Sequence, residues 1–250
     1  MKLYSYSDLT LQQLDEISQL CSLCHDYEPY TDTDSVHGEH CFFLCYEGPL
    51  LIGYLSFLEV QQNDEAEITA LVHPQYRQQG IFTAMLTAAK TELMKENIHH
   101  LYASVPAAYR SCSFCKDASH TEYLMALESC PACCCVFEEN ETFLSGPDAG
   151  KISYLKNGED QYHLLLSHKV IGVCNLEPES SFTNLWGVEI KKPYRGNGYG
   201  FLLMLYSIND YFKEYSQPLI LQVTSLNPAA FHLYQKCGFS VLEKVEYFNL

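Results

Sequence analysis

The chain has 250 residues, of which 47% are hydrophobic, and its 31 acidic and 15 basic side chains give a formal net charge of −16 at pH 7. Nucleic acids and anionic membrane surfaces bind proteins chiefly through Lys and Arg, so this charge argues against both as partners and suits a cationic partner such as an amine. No apolar segment approaches the length of a membrane span, and the N-terminus lacks the apolar run of a signal peptide, so we expect a cytoplasmic protein.

The first half of the sequence predicts, in chain order, a β-hairpin, a third strand, a turn, a helix and a fourth strand. Apolar runs bounded by turn residues define the strands, and apolar residues at helical spacing define the helix. The predicted strands cover residues 42–46, 50–56, 66–72 and 99–105, and the helical positions are Met85, Leu86, Ala89 and Leu93.

The second half predicts the same elements in the same order. The segment 72–80 reappears as 190–198, at an offset of 118 positions. Strands that lead into a crossover helix and a returning strand predict a mixed α/β fold. We therefore expect two domains of similar fold, residues 1–128 and 129–250. The predicted strands of the second copy cover residues 162–166, 170–176, 185–190 and 219–223, and its helical positions are Leu202, Leu205, Ile208 and Phe212.

The 12 cysteines include three pairs with metal-like C-x-x-C spacing, which begin at Cys21, Cys112 and Cys130. Zinc sites usually combine two such pairs at a defined separation, or add histidines. These pairs are scattered, and Cys112 and Cys115 fall in a segment that we expect to be helical. We therefore expect reduced thiols, most of them in the core, and no metal site.

Residues 195–200, Arg-Gly-Asn-Gly-Tyr-Gly, lie between a predicted strand and a predicted helix. Glycines let the backbone turn tightly and approach a ligand closely. The unpaired N–H groups and the dipole of the helix start then favour an anion such as a pyrophosphate. A Walker loop would require Gly-Lys-Ser/Thr, which is absent. The dinucleotide fingerprint is also excluded, because the glycines run G-x-G-x-G and no acidic residue ends the following strand.

A second motif follows this turn, with the pattern Asn-x-x-Ala-x-x-x-Tyr-x-x-x-Gly-Phe. Its residues are Asn227, Ala230, Tyr234, Gly238 and Phe239. Together with the Gln/Arg-x-x-Gly-x-Gly/Ala signature formed by Arg195, Gly198 and Gly200, it resembles the GNAT superfamily of acyl-CoA-dependent N-acyltransferases. Because the turn occurs twice, the whole chain resembles a tandem GNAT protein. The resemblance implies two domains, each a mixed, mostly antiparallel sheet flanked by helices.

The resemblance implies direct transfer of an acetyl group from acetyl-CoA to a primary amine, with no acyl-enzyme. It assigns acetyl-CoA binding to backbone N–H groups at the strand end and in the turn, with charge from Arg195 and a contact from Asn227. N–H groups near residues 188–190 would stabilise the charge that develops on the thioester oxygen. The predicted contacts are Val188, Ile190, Arg195, Gly196, Asn197, Gly198, Tyr199, Gly200 and Asn227.

The resemblance also assigns Tyr234 as the general acid that protonates the leaving thiolate; a purely packing tyrosine is the alternative. Glu189 is the acid best placed in the sequence to take the amine proton, and a solvent-facing strand residue is an equal alternative. Asn227, which precedes Pro228, also fits a helix N-cap. Trp186, the only tryptophan, either lines the acceptor side or fills the core, and we expect the core.

The first half keeps less of this pattern. Arg77 and Gly80 match the turn signature, but Phe82 replaces the last glycine. Positions near Tyr109 and Cys115 do not reproduce the second motif. We therefore expect a degenerate first domain and a catalytic second one. Whether the first domain binds CoA is left open by the sequence, because the contact to phosphate is mostly backbone.

Two functions from different classes follow from these motifs. The first is an N-acetyltransferase that acts in the C-terminal domain on a small, cationic amine, since the chain is acidic. The alternative is a non-catalytic acyl-CoA-binding sensor, which would have little use for both Tyr234 and Asn227. The identity of the acceptor, the acyl chain and the oligomeric state are left open by the sequence.

Overall fold

The computed structural model describes residues 1–27, 41–61, 64–106, 118–131, 152–158 and 160–250. The expected helix at Cys112 and Cys115, the position Tyr109 and the residue Cys133 lie outside these ranges.

Four α-helices and twelve strands are found in this part of the chain. The helices are α1 Leu11–Tyr27, α2 Ile81–Leu93, α3 Tyr199–Glu214 and α4 Pro228–Lys236. The strands are β1 Lys2–Tyr6, β2 Phe42–Glu47, β3 Leu50–Gln61, β4 Glu65–Val72, β5 His100–Pro106, β6 His120–Leu127, β7 Ile152–Asn157, β8 Gln161–Leu166, β9 Lys169–Pro178, β10 Thr183–Ile190, β11 Leu219–Thr224 and β12 Ser240–Asn249.

The chain forms two compact units. The first comprises residues 1–120 and 245–250, and the second comprises residues 121–244. The division falls before the predicted boundary at 128/129, because β6 pairs with β11 of the second unit. The C-terminal residues return to the first unit, because the end of β12 pairs with β5.

The first unit has a sheet that is covered by a helix on each face. Its strand order is β1-β2-β3-β4-β5, followed by the end of β12, and β4 pairs in parallel with β5. Successive residues of a strand point to opposite faces. Phe43 and Cys45 accordingly pack with α2, and Phe42 and Leu44 pack with α1. The continuous apolar run of β2 follows from this double burial.

The second unit repeats this arrangement of strands, in the corresponding order β7-β8-β9-β10-β11-β6. Its β10 and β11 are parallel, and its other neighbouring strands with described pairing are antiparallel. Helix α3 buries Leu202, Leu205 and Ile208 against the sheet, as their helical spacing predicts. The predicted fold class, α/β with two mixed sheets flanked by helices, is confirmed.

The described cysteines are all free thiols, and Cys21 and Cys24 are buried against the sheet by helix α1. Within the described ranges, no group of three or more His, Cys, Asp or Glu side chains is arranged to hold a metal ion. Of the helices assigned above, none combines the length and the apolar character that a membrane crossing requires.

Candidate active site

The turn between β10 and α3 exposes bare backbone. Gly196 has φ +82° and Gly198 has φ +80°, a left-handed conformation that glycine adopts without a steric penalty. A Cβ atom added at either position would meet no atom within 4 Å. Gly198 is the N-cap of α3 and brings no side chain to cap the first N–H groups of the helix. The turn therefore presents the open start of a helix, which suits an anion.

Side chains of the turn itself hold this backbone in place. The Nε of Arg195 donates to the carbonyl of Ile190 at 2.7 Å, and its Nη2 lies 3.5 Å from a carboxylate oxygen of Glu189. The Nδ2 of Asn197 donates to the carbonyls of Tyr194 and Arg195 at 3.3 and 3.1 Å. Arg195 thus joins the end of β10 to the turn, and Asn197 closes the turn on itself.

Strand β10 bulges just before the turn. Trp186 pairs with Asn175 of β9 and Glu189 pairs with Val173, so that two residues of β10 oppose one residue of β9. Gly187 sits in the bulge with φ +62°. The bulge leaves Gly187 and Val188 outside the regular ladder, whereas Glu189 and Ile190 pair with Val173 and Gly172.

The other edge of β10 separates from its parallel neighbour. The pairing between β10 and β11 covers only Thr183 with Leu219 and Asn184 with Ile220. Beyond Asn184 the two strands share no paired residues. The bulge and the separation thus affect the same C-terminal half of β10.

Helix α4 brings Tyr234 to this region. A Cβ added at Gly200, in the first turn of α3, would lie 3.3 Å from Cδ2 of Leu233 and 3.7 Å from Cγ1 of Ile190. The end of β10, the start of α3 and helix α4 therefore meet at Gly200. Tyr234, adjacent to Leu233, is buried, and this burial raises the pKa of its phenol to about 12, with the neighbouring thiols of Cys174 and Cys237 adding to the shift.

Three predicted residues have side chains whose roles the structure refines. Asn227 is exposed at the N-cap of α4, where its Oδ1 accepts a hydrogen bond from the N–H of Ala230 at 3.2 Å. Tyr199 is buried in the core, so its side chain does not line the turn. The expectation that Trp186 fills the core is wrong: its side chain is 53% exposed, because it precedes the bulge on the face opposite α3.

The first unit keeps the turn but not the bulge. Gln78 and Gly80, the counterparts of Gly196 and Gly198, have φ +60° and +78°. The Nε of Arg77 donates to the carbonyl of Val72 at 3.1 Å, as Arg195 does to Ile190. Phe82, however, stands where the second unit has Gly200.

The counterpart of Gly187 is Thr69, which pairs regularly with Ser56. The irregularity between β3 and β4 lies instead on β3, between Phe57 and Glu59. Beyond Ile68, β4 has no residue paired with β5, so it separates from its parallel neighbour as β10 does. The first unit therefore presents the same turn and a similar separation, but the strand that leads into the turn carries no bulge.

The sequence profile of the acetyltransferase (GNAT) family matches residues 11–119 and again residues 121–239. The chain belongs to the acetyltransferase (GNAT) family. It is accordingly an acyltransferase with two GNAT repeats, as the resemblance of the motifs implies.

Solved structures of GNAT proteins share this fold along the whole chain. A GCN5-related N-acetyltransferase from Sphaerobacter thermophilus is 12% identical, with 99% of this chain and 95% of that chain covered and a TM-score of 0.63. A tandem GNAT protein of the clavulanic acid biosynthesis pathway is 12% identical, with coverages of 100% and 98% and a TM-score of 0.57.

A glucosamine N-acetyltransferase region of a fungal multi-domain β-N-acetylglucosaminidase is 11% identical, with 100% of this chain but only 38% of that chain covered and a TM-score of 0.64. At such identities these likenesses establish the fold. No curated protein matches the sequence significantly.

Two features of this GNAT site were missed by the sequence reasoning. The first is Gly187, although a glycine inside a predicted strand is a signal for a bulge. The second is Asn175, which contacts Gly187 from the neighbouring strand. Its polar side chain gives no signal by itself, because its importance depends on the register between β9 and β10.

Proposed function

We propose that the second unit transfers an acetyl group from acetyl-CoA to a primary amine by direct attack. The observation that carries this proposal is the bulge at Gly187, which lies on the strand that leads into the open turn at Gly198. The first unit has the turn without the bulge. An open glycine turn and a bulge on the strand that leads into it therefore occur together only in the second of the two described units.

In this proposal the turn holds the pyrophosphate of acetyl-CoA. Its donors are the backbone N–H groups of residues 196–200, and the open space above Gly196 and Gly198 fits the ligand because no protein atom occupies it. The guanidinium of Arg195 adds positive charge while it keeps the turn attached to β10. Asn227, at the exposed start of α4, contacts another part of the same ligand.

The thioester carbonyl is proposed to lie against the bulge. N–H groups of Gly187 and Val188, which lie in the bulge outside the regular pairing with β9, donate to the oxygen as negative charge develops on it. The amine nitrogen forms a bond to the acyl carbon, the carbon–sulfur bond breaks, and the sulfur departs as a thiolate.

Tyr234 supplies the proton that the departing thiolate takes up. With its pKa raised to about 12 by burial, the phenol stays protonated at neutral pH and is ready to donate. Solvent then returns a proton to the phenolate, so that the site is restored after each turnover.

The amine is proposed to approach from the face that carries Trp186 and Glu189. Both pair with residues on the face of β9 that points away from α3. Glu189 is the proposed base, and it would leave its exposed contact with Arg195, which costs little because surface ion pairs contribute about 1 kcal/mol or less. A carboxylate beside an aromatic ring suits a cationic amine.

The test measures thiol release from acetyl-CoA with a panel of amines, together with calorimetric binding of CoA. Gly198→Val and Gly80→Val form a matched pair, since both replace an open glycine with φ near +80°. We expect turnover with at least one amine, its loss in Gly198→Val, and unchanged turnover in Gly80→Val. CoA binding without turnover would support the sensor instead. Absence of CoA binding, or loss of turnover in Gly80→Val alone, would contradict catalysis in the second unit.

A further inference from the structure

Three polar side chains form a connected chain across the second sheet, on the face opposite α3. The Nε2 of His163 lies 2.7 Å from Oε1 of Gln161, and the Nε2 of Gln161 donates to Oδ1 of Asn175 at 2.9 Å. The Nδ2 of Asn175 then donates to the carbonyl of Trp186 at 3.4 Å. We call His163, Gln161 and Asn175 the polar chain. It starts on β8, crosses β9 and ends at the bulge of β10.

The hydrogen bonds of the polar chain run in one direction. The Oε1 of Gln161 can only accept, and it also accepts from Nδ2 of Asn157 at 3.4 Å, so His163 must donate from Nε2. The amide nitrogen of Gln161 is then aimed at the oxygen of Asn175. Because the Oδ1 of Asn175 accepts this hydrogen bond, its Nδ2 is oriented to donate to the carbonyl of Trp186. Each residue thus orients the next, which reduces the number of ways in which Asn175 can sit.

Asn175 also contacts the bulge sterically. A Cβ atom added at Gly187 would lie 2.6 Å from Nδ2 of Asn175. The same amide nitrogen therefore reaches the carbonyl of Trp186 and packs against the α-carbon of Gly187. It therefore contacts both residues joined by the peptide bond between Trp186 and Gly187, where β10 leaves its regular register.

The first unit lacks both the polar chain and the bulge. The two hairpins align through their glycine pairs, Cys45 with Gly53 and Leu164 with Gly172. By this register Gln161, His163 and Asn175 correspond to Phe42, Leu44 and Ser56. Phe42 and Leu44 pack under α1, and the hydroxyl of Ser56 bonds with that of Tyr54 at 2.7 Å.

We propose that Asn175, oriented by Gln161 and His163, is a positioning residue that holds the bulge of β10 so that its N–H groups face the acyl carbonyl. This inference rests on the proposed function for its consequence in catalysis. Its structural half, that the polar chain immobilises the bulge, does not depend on which reaction the site performs. The physical reason is that a bulge lacks the regular ladder bonds that would otherwise fix its peptides.

The single tryptophan gives a direct readout of the bulge. Trp186 is the residue whose carbonyl Asn175 binds, so its fluorescence anisotropy decay reports local motion on the nanosecond scale. The variants are Asn175→Ser, which introduces the residue of the first unit, and Gln161→Leu, which interrupts the polar chain. Glu177→Gln is the control, because it is an exposed change on the same strand and the same face as Asn175.

We expect more nanosecond motion of Trp186 in Asn175→Ser and Gln161→Leu than in the wild type, and none added in Glu177→Gln. In the thiol-release assay kcat should fall by about 10- to 100-fold in Asn175→Ser, the range for a misplaced reacting group, with the KM for acetyl-CoA within about twofold. A role in general stability alone would not separate kcat from KM in this way.

Unchanged motion of Trp186 in Asn175→Ser would overturn the inference, whatever the kinetics. So would a change in KM for acetyl-CoA with kcat intact, since Asn175 would then serve binding. If the wild type turns over no amine, the proposed function fails, but the anisotropy of the two variants still decides whether the polar chain holds the bulge. The two failures are therefore distinguishable.

Discussion

Arg195 and Arg77 show what single side chains contribute to the turn. Each donates from Nε to the carbonyl of the residue that ends the preceding strand, at 2.7 and 3.1 Å. The bond persists in the first unit, where Phe82 has replaced the last glycine of the signature. The arginine of this motif therefore stabilises the turn itself, in addition to any charge that it offers to a ligand.

Tyr234 is the residue on which the acid step of the proposed reaction depends. We expect Tyr234→Phe to lower kcat by about 100-fold or more, the usual contribution of a positioned general acid, while CoA binding measured by calorimetry stays unchanged. The ring remains and packs as before, so folding is preserved. Tyr206→Phe, a half-buried tyrosine of α3, should keep wild-type activity. Equal losses in both variants would show that packing is the cause.

The same substitution tests the raised pKa of Tyr234. Its value of about 12 lies above the ordinary 10, so its contribution to stability is full below about pH 10 and is lost as the pH rises through 12. Between pH 8 and pH 11 the wild type should lose about 1 kcal/mol that Tyr234→Phe does not lose. Urea unfolding at both pH values measures the difference. An identical decline in both proteins would contradict the burial of the phenol.

Asn227 allows capping and ligand binding to be separated. Asn227→Ala should reduce the free energy of unfolding by about 1 kcal/mol, because the N–H of Ala230 loses its side-chain acceptor. Asn227→Asp keeps the acceptor and should keep the stability. If Asn227 also contacts CoA, the added negative charge weakens CoA binding in Asn227→Asp. Wild-type CoA affinity in this variant would limit the residue to capping.

At the scale of elements, the starts of α2 and α3 differ more than their turns do. Gly200 lets α3 begin beside Leu233 of α4 and Ile190 of β10, because a side chain there would already meet Leu233 at its first carbon. In the first unit Phe82 is partly buried against the core at this position. The family signature places a small residue here, and the junction of three elements in the second unit explains why.

We expect Gly200→Phe to weaken CoA binding at least about tenfold, or 1.4 kcal/mol, because the ring must displace Leu233 or cover the helix start. Calorimetry with CoA measures the loss, and circular dichroism checks that α3 still folds. The matched change Phe82→Gly should leave turnover unaltered. CoA affinity that falls in Phe82→Gly and not in Gly200→Phe would place the coenzyme in the first unit.

At the scale of the whole molecule, both ends of the chain belong to the first unit. The final strand, β12, begins in the second unit, and its last residues pair with β5 of the first. Phe248 is 1% exposed, and Leu250 packs on the core of the first unit. The first unit is thus built from two segments of chain that are distant in sequence.

Because residues 245–250 belong to the first unit, a mutation there should destabilise the first unit and not the second. Phe248→Ala should destabilise the first unit by about 3–5 kcal/mol, the usual cost of removing a buried phenylalanine side chain. Unfolding of a two-unit chain need not be two-state. Hydrogen exchange should therefore show faster exchange in β4 and β5 with β8 and β9 unchanged. Uniform acceleration across both units would contradict the assignment of residues 245–250 to the first.

Residues that are close together in sequence determined many of the structural features of this protein. The repeated turn, the helix start at Gly198, the cap at Asn227 and the apolar periodicity of α2 and α3 each depend on residues close together in sequence. The two repeats and the GNAT family follow from them. These features are readable because glycine conformation, helix capping and amphipathic spacing act over a few residues.

Only the tertiary structure decided the rest. The bulge at Gly187, the separation of β10 from β11, the polar chain that ends at Asn175 and the return of β12 to β5 all depend on strand pairing. The exposure of Trp186 follows from the same pairing. Register joins residues that are distant in sequence, and a shift of one residue turns a side chain to the other face of the sheet. A glycine within a strand signals a bulge, as at Gly187, but no pattern within a single segment gives the residues that pair across it.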